Sequence, residues 1–461
     1  MKISKSDFDQ TCVSQPKYKA LALLIEQAIL AGDLPDQQKL PAQRWLADKF
    51  VITHGTVTRA YDLLEKKGLV IARLGAGTYV NFPLSEAFAD NSIKEYDFAS
   101  SMQPMYGQQT LVKNALNELA EDPNAVQNIM TYAAQGVQKH KTIFATWLLS
   151  KGIHIEADDM VFTQGAQQGI YTSLQILAQA DDYILHESMA YPGFFRAVDA
   201  CRVNPLSVPI TSTGLDLDAL ESLCKEYKPK ALYITPNMQN PTNVQYTSES
   251  LAKILALSRQ YGFYIIEDDV NYCLPESWRA PLQQQAADRV FYVSSLSKYV
   301  AGGLRVAYTL VPKQWQQAFN LNLHSQCWMV STMNVEIATR FIMKADFQEN
   351  QTLLANEMRY RQAAYQKLAE KHGLEIRRGG LNVWVLLPNR INMNQFNGFC
   401  AARNIKIRTA DLFCHPSSIQ QAKNGLRVAL GGLSTRSEFD EGLVMFEKAF
   451  IEFNQQQDIV I

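Results

Sequence analysis

Val290-Phe291-Tyr292-Val293-Ser294-Ser295-Leu296-Ser297-Lys298 joins four β-rich apolar residues to small hydroxyl residues and a lysine, with Arg305 seven positions on. The apolar part reads as a strand and the polar part as its C-terminal end. A lysine amine set between hydroxyls and an arginine suits a pyridoxal phosphate (PLP) site. The amine forms a Schiff base with the aldehyde of that cofactor, while hydroxyls and guanidinium hold its phosphate. A serine-rich strand end with one lysine is also ordinary loop composition, so the reading depends on further parts of the same site lying elsewhere in the chain.

Outward from that stretch, short β-rich runs alternate with helical stretches from about Asp97 onward. They are Asp159-Met160-Val161-Phe162-Thr163, Tyr183-Ile184-Leu185, Ala231-Leu232-Tyr233-Ile234 and Tyr264-Ile265-Ile266. This alternation predicts an α/β unit with a mostly parallel sheet, whose ligands gather at the C-terminal ends of the strands. Polar residues fall there. Thr163-Gln164-Gly165-Ala166-Gln167-Gln168 follows a strand and opens a helix, where backbone N–H groups and the helix dipole favour a phosphate. Glu187-Ser188-Met189-Ala190-Tyr191-Pro192-Gly193 offers an aromatic face. Asn240-Pro241-Thr242 follows the Tyr233 strand, and Glu267-Asp268-Asp269 ends the Tyr264 strand. Each taken singly is turn chemistry or capping; together with Lys298 they make a set.

The bulk numbers bound the rest. A chain of 461 residues with 47% hydrophobic and 19% charged residues has room for two or three domains and a large core. Net charge is −1, and residues 1 to 80 carry 11 Lys and Arg against 8 Asp and Glu, a small basic excess at the N-terminal end. The seven cysteines (Cys12, Cys201, Cys224, Cys273, Cys327, Cys400, Cys414) are scattered and never spaced as CxxC, so neither a disulfide framework nor a zinc site is expected, and a reducing cytoplasm is. The seven histidines are likewise dispersed, and no metal is assigned. No apolar run approaches the length of a membrane span, and the opening from Met1 to Thr11 lacks the apolar core of a signal peptide.

In the first eighty residues, Leu21, Leu24, Ile25, Ala28 and Ile29 recur at helical spacing between Tyr18 and Leu30, and Gly32 with Pro35 stops the pattern. A shorter helix is expected from Gln43 to Phe50. The threonines of Thr53-His54-Gly55-Thr56 then cap a third helix that turns Val57, Ala60, Tyr61 and Leu64 inward and Thr58, Arg59, Asp62 and Lys66 outward. Gly68 ends it, and Leu69 to Val80 reads as two short strands around a glycine turn. Three helices and a basic-edged hairpin make a winged helix-turn-helix, whose third helix enters the major groove. A small helical cap without nucleic-acid contact has the same element order.

The stretch KLPAQRWLADKFVITHGTVTRAYDLLEKKGLVIARLGAGTYV, Lys39 to Val80, resembles the GntR family of bacterial regulators in three successive motifs, and the resemblance spans about residues 16 to 80. It implies contacts to a double-stranded DNA operator from Arg44, Thr53, Thr56, Thr58 and the wing glycine Gly77. His54 belongs to the same set, at a position where the family usually carries an arginine, so the operator sequence does not transfer from relatives.

Residues 81 to 96 are polar and without period and read as a linker. Residues 97 to 455 resemble the fold-type I PLP enzymes of the aspartate aminotransferase superfamily, which implies a large domain and a smaller C-terminal α+β subdomain. Matched motif by motif, the resemblance makes Lys298 the Schiff-base lysine, Asp268 the partner of the pyridinium nitrogen, Asn240 the partner of the ring hydroxyl oxygen and Tyr191 the stacking ring. Ala166, Gln167, Ser295, Ser297 and Arg305 hold the phosphate, with Tyr132 arriving from the other subunit of a homodimer, and Arg427 grips a carboxylate. The superfamily often places a tyrosine two or three positions after the aspartate; this chain has Val270 and Asn271 there, so weak or half-reaction transamination is the most that is implied.

A GntR-type reader on residues 1 to 80 joined to an aminotransferase-like effector domain resembles the MocR subfamily. The implied protein is a PLP-dependent, DNA-binding transcriptional regulator that senses an amine, an amino acid or PLP itself. The alternative is a working aminotransferase with a vestigial DNA-binding domain.

Overall fold

In a computed structural model of the chain, residues 4–13, 15–30, 34, 38–66, 69–73, 77–80, 94–105, 107–133 and 136–459 are described. Two compact units result, Met1–Ile93 and Lys94–Ile461.

The first unit is built on four helices, α1 (Lys5–Cys12), α2 (Lys17–Leu30), α3 (Gln43–Phe50) and α4 (His54–Lys66), followed by an antiparallel hairpin of β1 (Val70–Arg73) and β2 (Gly77–Val80). Helix α1 is an addition to the sequence reading. Ser4 caps it, its hydroxyl accepting from the Asp7 amide at 3.1 Å while the Asp7 carboxylate accepts from the Ser4 amide, a reciprocal pair that satisfies two otherwise orphaned donors. Its Phe8 is buried 4.9 Å from the Phe50 ring and closes the core formed by Leu21, Ile25, Leu46, Val57 and Leu64. Val57, Ala60, Tyr61 and Leu64 face inward as the helical period requires, and Tyr61 donates to the Pro41 carbonyl at 2.7 Å. Gly32, Pro35, Gly68, the turn at 74–76 and most of the expected linker (81–93) lie outside the described residues.

The second unit is organised by a seven-stranded sheet in the spatial order Met160–Gln164, Val306–Leu310, Val290–Ser295, Tyr264–Asp268, Ala231–Ile234, Tyr183–Glu187, Asn204–Val208. Only Val306–Leu310 runs antiparallel to its neighbours. The central strands are buried along their whole length, which is why they read as continuous apolar runs rather than alternating ones. Crossover helices such as Ala166–Leu177 cover the faces, packing Ile170 and Leu174 against Val293 and Phe291.

A smaller antiparallel sheet, in the order Glu375–Arg378, Asn382–Leu386, Gly425–Ala429, Arg408–Thr409, packs with the long helices Ala345–Lys371 and Arg436–Ile459 around Leu354, Tyr365, Val383, Leu426 and Phe446. The chain enters the second unit beside this sheet. Lys94 pairs with Glu441, Tyr96 donates to Glu441 at 2.6 Å, and Tyr96–Asp97 adds a parallel strand to Ile405–Lys406. The Asp97 carboxylate then accepts the amides of Ala99 and Ser100 at 2.8 and 2.9 Å, turning the backbone toward the strand ends. Among the described residues, no helix is long and apolar enough to cross a membrane.

Candidate functional site

The C-terminal ends of the large-sheet strands open into a cavity of about 370 Å³. Ala166, Gln167, Tyr191, Asn240, Asp268, Ser295, Ser297, Lys298, Arg305 and Arg427 all line it, so residues far apart in the sequence meet in one place. Tyr132 does not. It lies 87% exposed, its ring edge-on to Trp328 at 6.2 Å.

Each polar group is placed by the local fold. Asp268 ends its strand buried, with the Tyr233 hydroxyl donating to Oδ2 at 2.6 Å and the Val270 amide to Oδ1 at 3.1 Å. Burial raises its pKa to about 6, against the stabilising pull of those two donors. Lys298 sits in a single helical turn capped by Ser295, whose hydroxyl accepts the Ser297 amide at 2.9 Å. Its amine donates to the Ser101 carbonyl. Burial first, then the positive charges of Arg427 and Arg305, bring the Lys298 pKa down to about 8, which leaves roughly a tenth of the amine free at neutral pH, far more than an ordinary lysine has.

At the opposite end, Gly165 precedes helix Ala166–Leu177 with φ +79° and no side-chain cap, so the first amides of the helix stay open to a ligand. A Cβ at Gly165 would stand 1.9 Å from Arg305 Nη2, so only glycine lets the guanidinium lie along this helix start. Free helix amides, the Ser295 and Ser297 hydroxyls and Arg305 form a donor set for a dianionic phosphate. A buried carboxylate and a reactive lysine stand across the same cavity. That set fits a phosphorylated pyridine aldehyde.

Arg427 is buried beside these groups. It donates from Nη1 to Asn240 Oδ1 at 3.1 Å and from Nη2 to the Ala99 carbonyl at 2.8 Å, while Nε is buried without a partner. Burial, and next the charge of Arg408, lower its pKa to about 10. The Tyr191 hydroxyl pKa is raised by burial and by Asp268.

Sequence reasoning missed Tyr233, Arg408 and the Ala99 and Ser101 carbonyls. A strand-interior tyrosine carries no local mark of function, and Arg408 belongs to a strand of two residues. At the positions where a tyrosine was sought, Val270 lines the cavity and the Asn271 side-chain amide donates to the Met238 carbonyl at 2.9 Å.

In the first unit, Arg44, Thr53, His54 and Gly77 are exposed and Thr56 is half-buried, its hydroxyl 2.8 Å from that of Thr53. Arg59, Asp62 and Lys66 are exposed as expected. Thr58 is a correction. It is half-buried rather than outward, because its hydroxyl donates to Gln43 Oε1 at 2.8 Å, tying α4 to α3, with the His54 carbonyl as an alternative acceptor at 3.1 Å. Gly77 has φ +110° and starts β2 opposite Arg73, whose guanidinium lies 4.6 Å over the Tyr79 ring.

Comparison with known proteins gives two family matches, aminotransferase class I and II over residues 97–441 and bacterial regulatory proteins of the gntR family over residues 17–80. The uncharacterized HTH-type transcriptional regulator YdeF of Bacillus subtilis (strain 168) is 28% identical over 94% of both chains. The uncharacterized HTH-type transcriptional regulator YdcR of Escherichia coli (strain K12) is 26% identical over 86% of this chain and 92% of its own. Among solved structures, LysN, the alpha-aminoadipate aminotransferase of Thermus thermophilus, complexed with N-(5'-phosphopyridoxyl)-L-leucine, matches with a TM-score of 0.70 at 20% identity, covering 80% of this chain and 94% of its own.

Proposed function

Because the chain belongs to the aminotransferase class I and II family and opens with a gntR-family unit, the layout of the MocR subfamily, we propose that it is a transcriptional regulator. In this reading residues 1–80 bind a DNA operator, residues 81–96 link, and residues 97–455 bind PLP and an amine or amino acid. The observation that carries it is the meeting of Lys298, Asp268, Asn240, Ser295, Ser297 and Arg305 around one cavity. The chain around that cavity matches named transcriptional regulators over nearly its full length.

Bound PLP would supply an aldehyde for an amine and a ring that withdraws electrons from it. Lys298 would hold the aldehyde carbon and yield it to an incoming amine; Asp268, ionised above about pH 6, would keep a proton on the ring nitrogen. Asn240 would face the ring hydroxyl oxygen and Tyr191 one ring face. Arg305, the two serines and the amides of Ala166 and Gln167 would neutralise the phosphate. Tyr132, which does not line this cavity, would complete that of a second copy in a homodimer.

Lys298 and Arg427 both donate to backbone carbonyls of one short segment, Ser101 and Ala99. PLP held by Lys298 would draw the amine away from Ser101, and a ligand amine that displaces Lys298 would return it while the ligand carboxylate draws Arg427 away from Ala99, so the two holds change with different states of occupancy. That segment continues directly from the linker to the DNA-binding unit, so ligand occupancy has differential contacts through which it can act on the linker.

Operator retention by the full-length protein, measured with PLP alone and with PLP plus single amino acids, tests the reading. An operator response that Lys298→Ala loses while still retaining DNA supports it; a response to PLP alone identifies the cofactor as the signal. Keto-acid release at ordinary enzyme rates with no effect on DNA retention overturns it.

A further inference from the structure

Arg408 and Arg427 stand directly opposite one another on adjacent antiparallel strands, and both line the cavity around Lys298. Like charges in that register repel, and the two guanidinium groups share a face because opposed residues point to the same side of a sheet. Arg427 is buried and two of its nitrogens are occupied by Asn240 and Ala99. Arg408 is different. It is exposed, and among the described residues its side chain has no hydrogen bond, ion pair or ring contact. A second arginine kept beside a buried one, without a carboxylate to pair it, is an unfavourable arrangement that an anion would relieve.

Counting charge along the cavity points the same way. Its lining holds Lys298, Arg305, Arg408 and Arg427 against a single carboxylate, Asp268. On the reading proposed above, Arg305 answers the cofactor phosphate, Asp268 answers the ring nitrogen, Lys298 serves the aldehyde and exchanges it with the ligand amine, and Arg427 answers one ligand carboxylate. Arg408 is then left over, on the neighbouring strand at the exposed side of Arg427.

We propose that the effector is a primary amine carrying two acidic groups, an acidic amino acid in its simplest form, and that Arg408 is the residue that selects the second acid. Arg427 takes the carboxylate near the amine, and Arg408 takes the distal one. An amide in place of the distal acid keeps the shape of the ligand but presents an N–H₂ and a neutral oxygen to Arg408, so it loses the charge-assisted bond while keeping every other contact.

This inference rests on the PLP reading, and the test separates the two. Full-length protein reconstituted with PLP is titrated with L-glutamate, L-glutamine, L-aspartate and L-asparagine while the absorbance of the bound chromophore is followed. At least one acid should bind about tenfold or more tighter than its own amide, the size expected for one charge-assisted hydrogen bond. Arg408→Met should erase that difference by weakening the acid and leaving the amide unchanged, and Arg408→Lys should restore part of it. Equal affinities for acid and amide in the unaltered protein overturn the inference alone, as does an Arg408→Met variant that weakens both ligands equally. A protein that never takes up PLP overturns the underlying reading and this one with it.

Discussion

Replacing Tyr233 by phenylalanine removes one oxygen from the interior of the large sheet and leaves the ring, which stacks on Phe194 at 4.1 Å with 12° between planes, in place. The lost group is the hydroxyl that donates to Asp268 Oδ2 at 2.6 Å, a short bond to a charged acceptor. Such bonds contribute about 1.5–3 kcal/mol. At about 1.36 kcal/mol per pKa unit, losing one stabilises the protonated carboxyl and moves the Asp268 pKa up by roughly 1–2 units. From about 6 it would reach roughly 7–8. A protonated carboxyl cannot pair with a protonated ring nitrogen, so PLP affinity rises with pH as Asp268 ionises. At pH 7 about nine-tenths of the unaltered protein is ionised against roughly a half to a tenth of the variant, which predicts PLP binding about two- to tenfold weaker in Tyr233→Phe. By about pH 9 both are ionised, the hydrogen bond is missing from free and bound variant alike, and the affinities should converge. The titration of free PLP is common to both proteins and cancels in the ratio. The assay is an absorbance titration of cofactor-free protein with PLP at intervals between those limits. A Kd ratio that stays constant across pH, whether one or larger, refutes the assignment of Tyr233 to the control of Asp268.

Two further outcomes are expected. Arg44→Ala, at an exposed position at the start of α3, should weaken DNA retention and make its dependence on salt shallower by about one ion while leaving PLP uptake unchanged, as gel retention over a salt series would report. Gly165→Ala places a Cβ 1.9 Å from Arg305 Nη2 at φ +79°. It should cost about 1–3 kcal/mol of stability from backbone strain and weaken PLP binding through Arg305, read from thermal unfolding with and without PLP; unchanged PLP affinity would contradict the placement of the phosphate.

Much of the cavity could be read in the sequence because its parts are strand ends followed by turns. The apolar runs before Gly165, Asn240, Asp268 and Ser295 mark buried strands, and polar residues within a few positions after each, Gln167, Asn240, Asp268 and Ser295, line the same cavity. What escaped was set by pairing across strands rather than by order along the chain. Tyr233 meets Asp268 because their strands are parallel neighbours in a particular register, Tyr233 opposite Ile266. Arg408 meets Arg427 through a two-residue strand too short to leave a period. The strand Val306–Leu310 went unmarked, since nothing local distinguishes an antiparallel insertion beside Arg305 from the strands around it. Helix α1 did carry a signal, a serine followed three positions later by an aspartate ahead of Phe8. Thr58 was misplaced because the helical wheel of α4 alone does not reveal Gln43 waiting on α3.

The central claim is a covalent bond between Lys298 and an aldehyde cofactor. Full-length protein incubated with PLP, reduced with borohydride, digested and examined by mass spectrometry addresses it directly. A pyridoxyl phosphate adduct on Lys298 is predicted. Lys151 supplies an internal control, since it too has its pKa lowered to about 8 by burial, and it lies over the Trp147 and Tyr299 rings at 4.1 and 4.7 Å, yet it lines no part of the cavity around Asp268. An adduct on Lys151 in preference to Lys298, or no adduct at all, would contradict the claim.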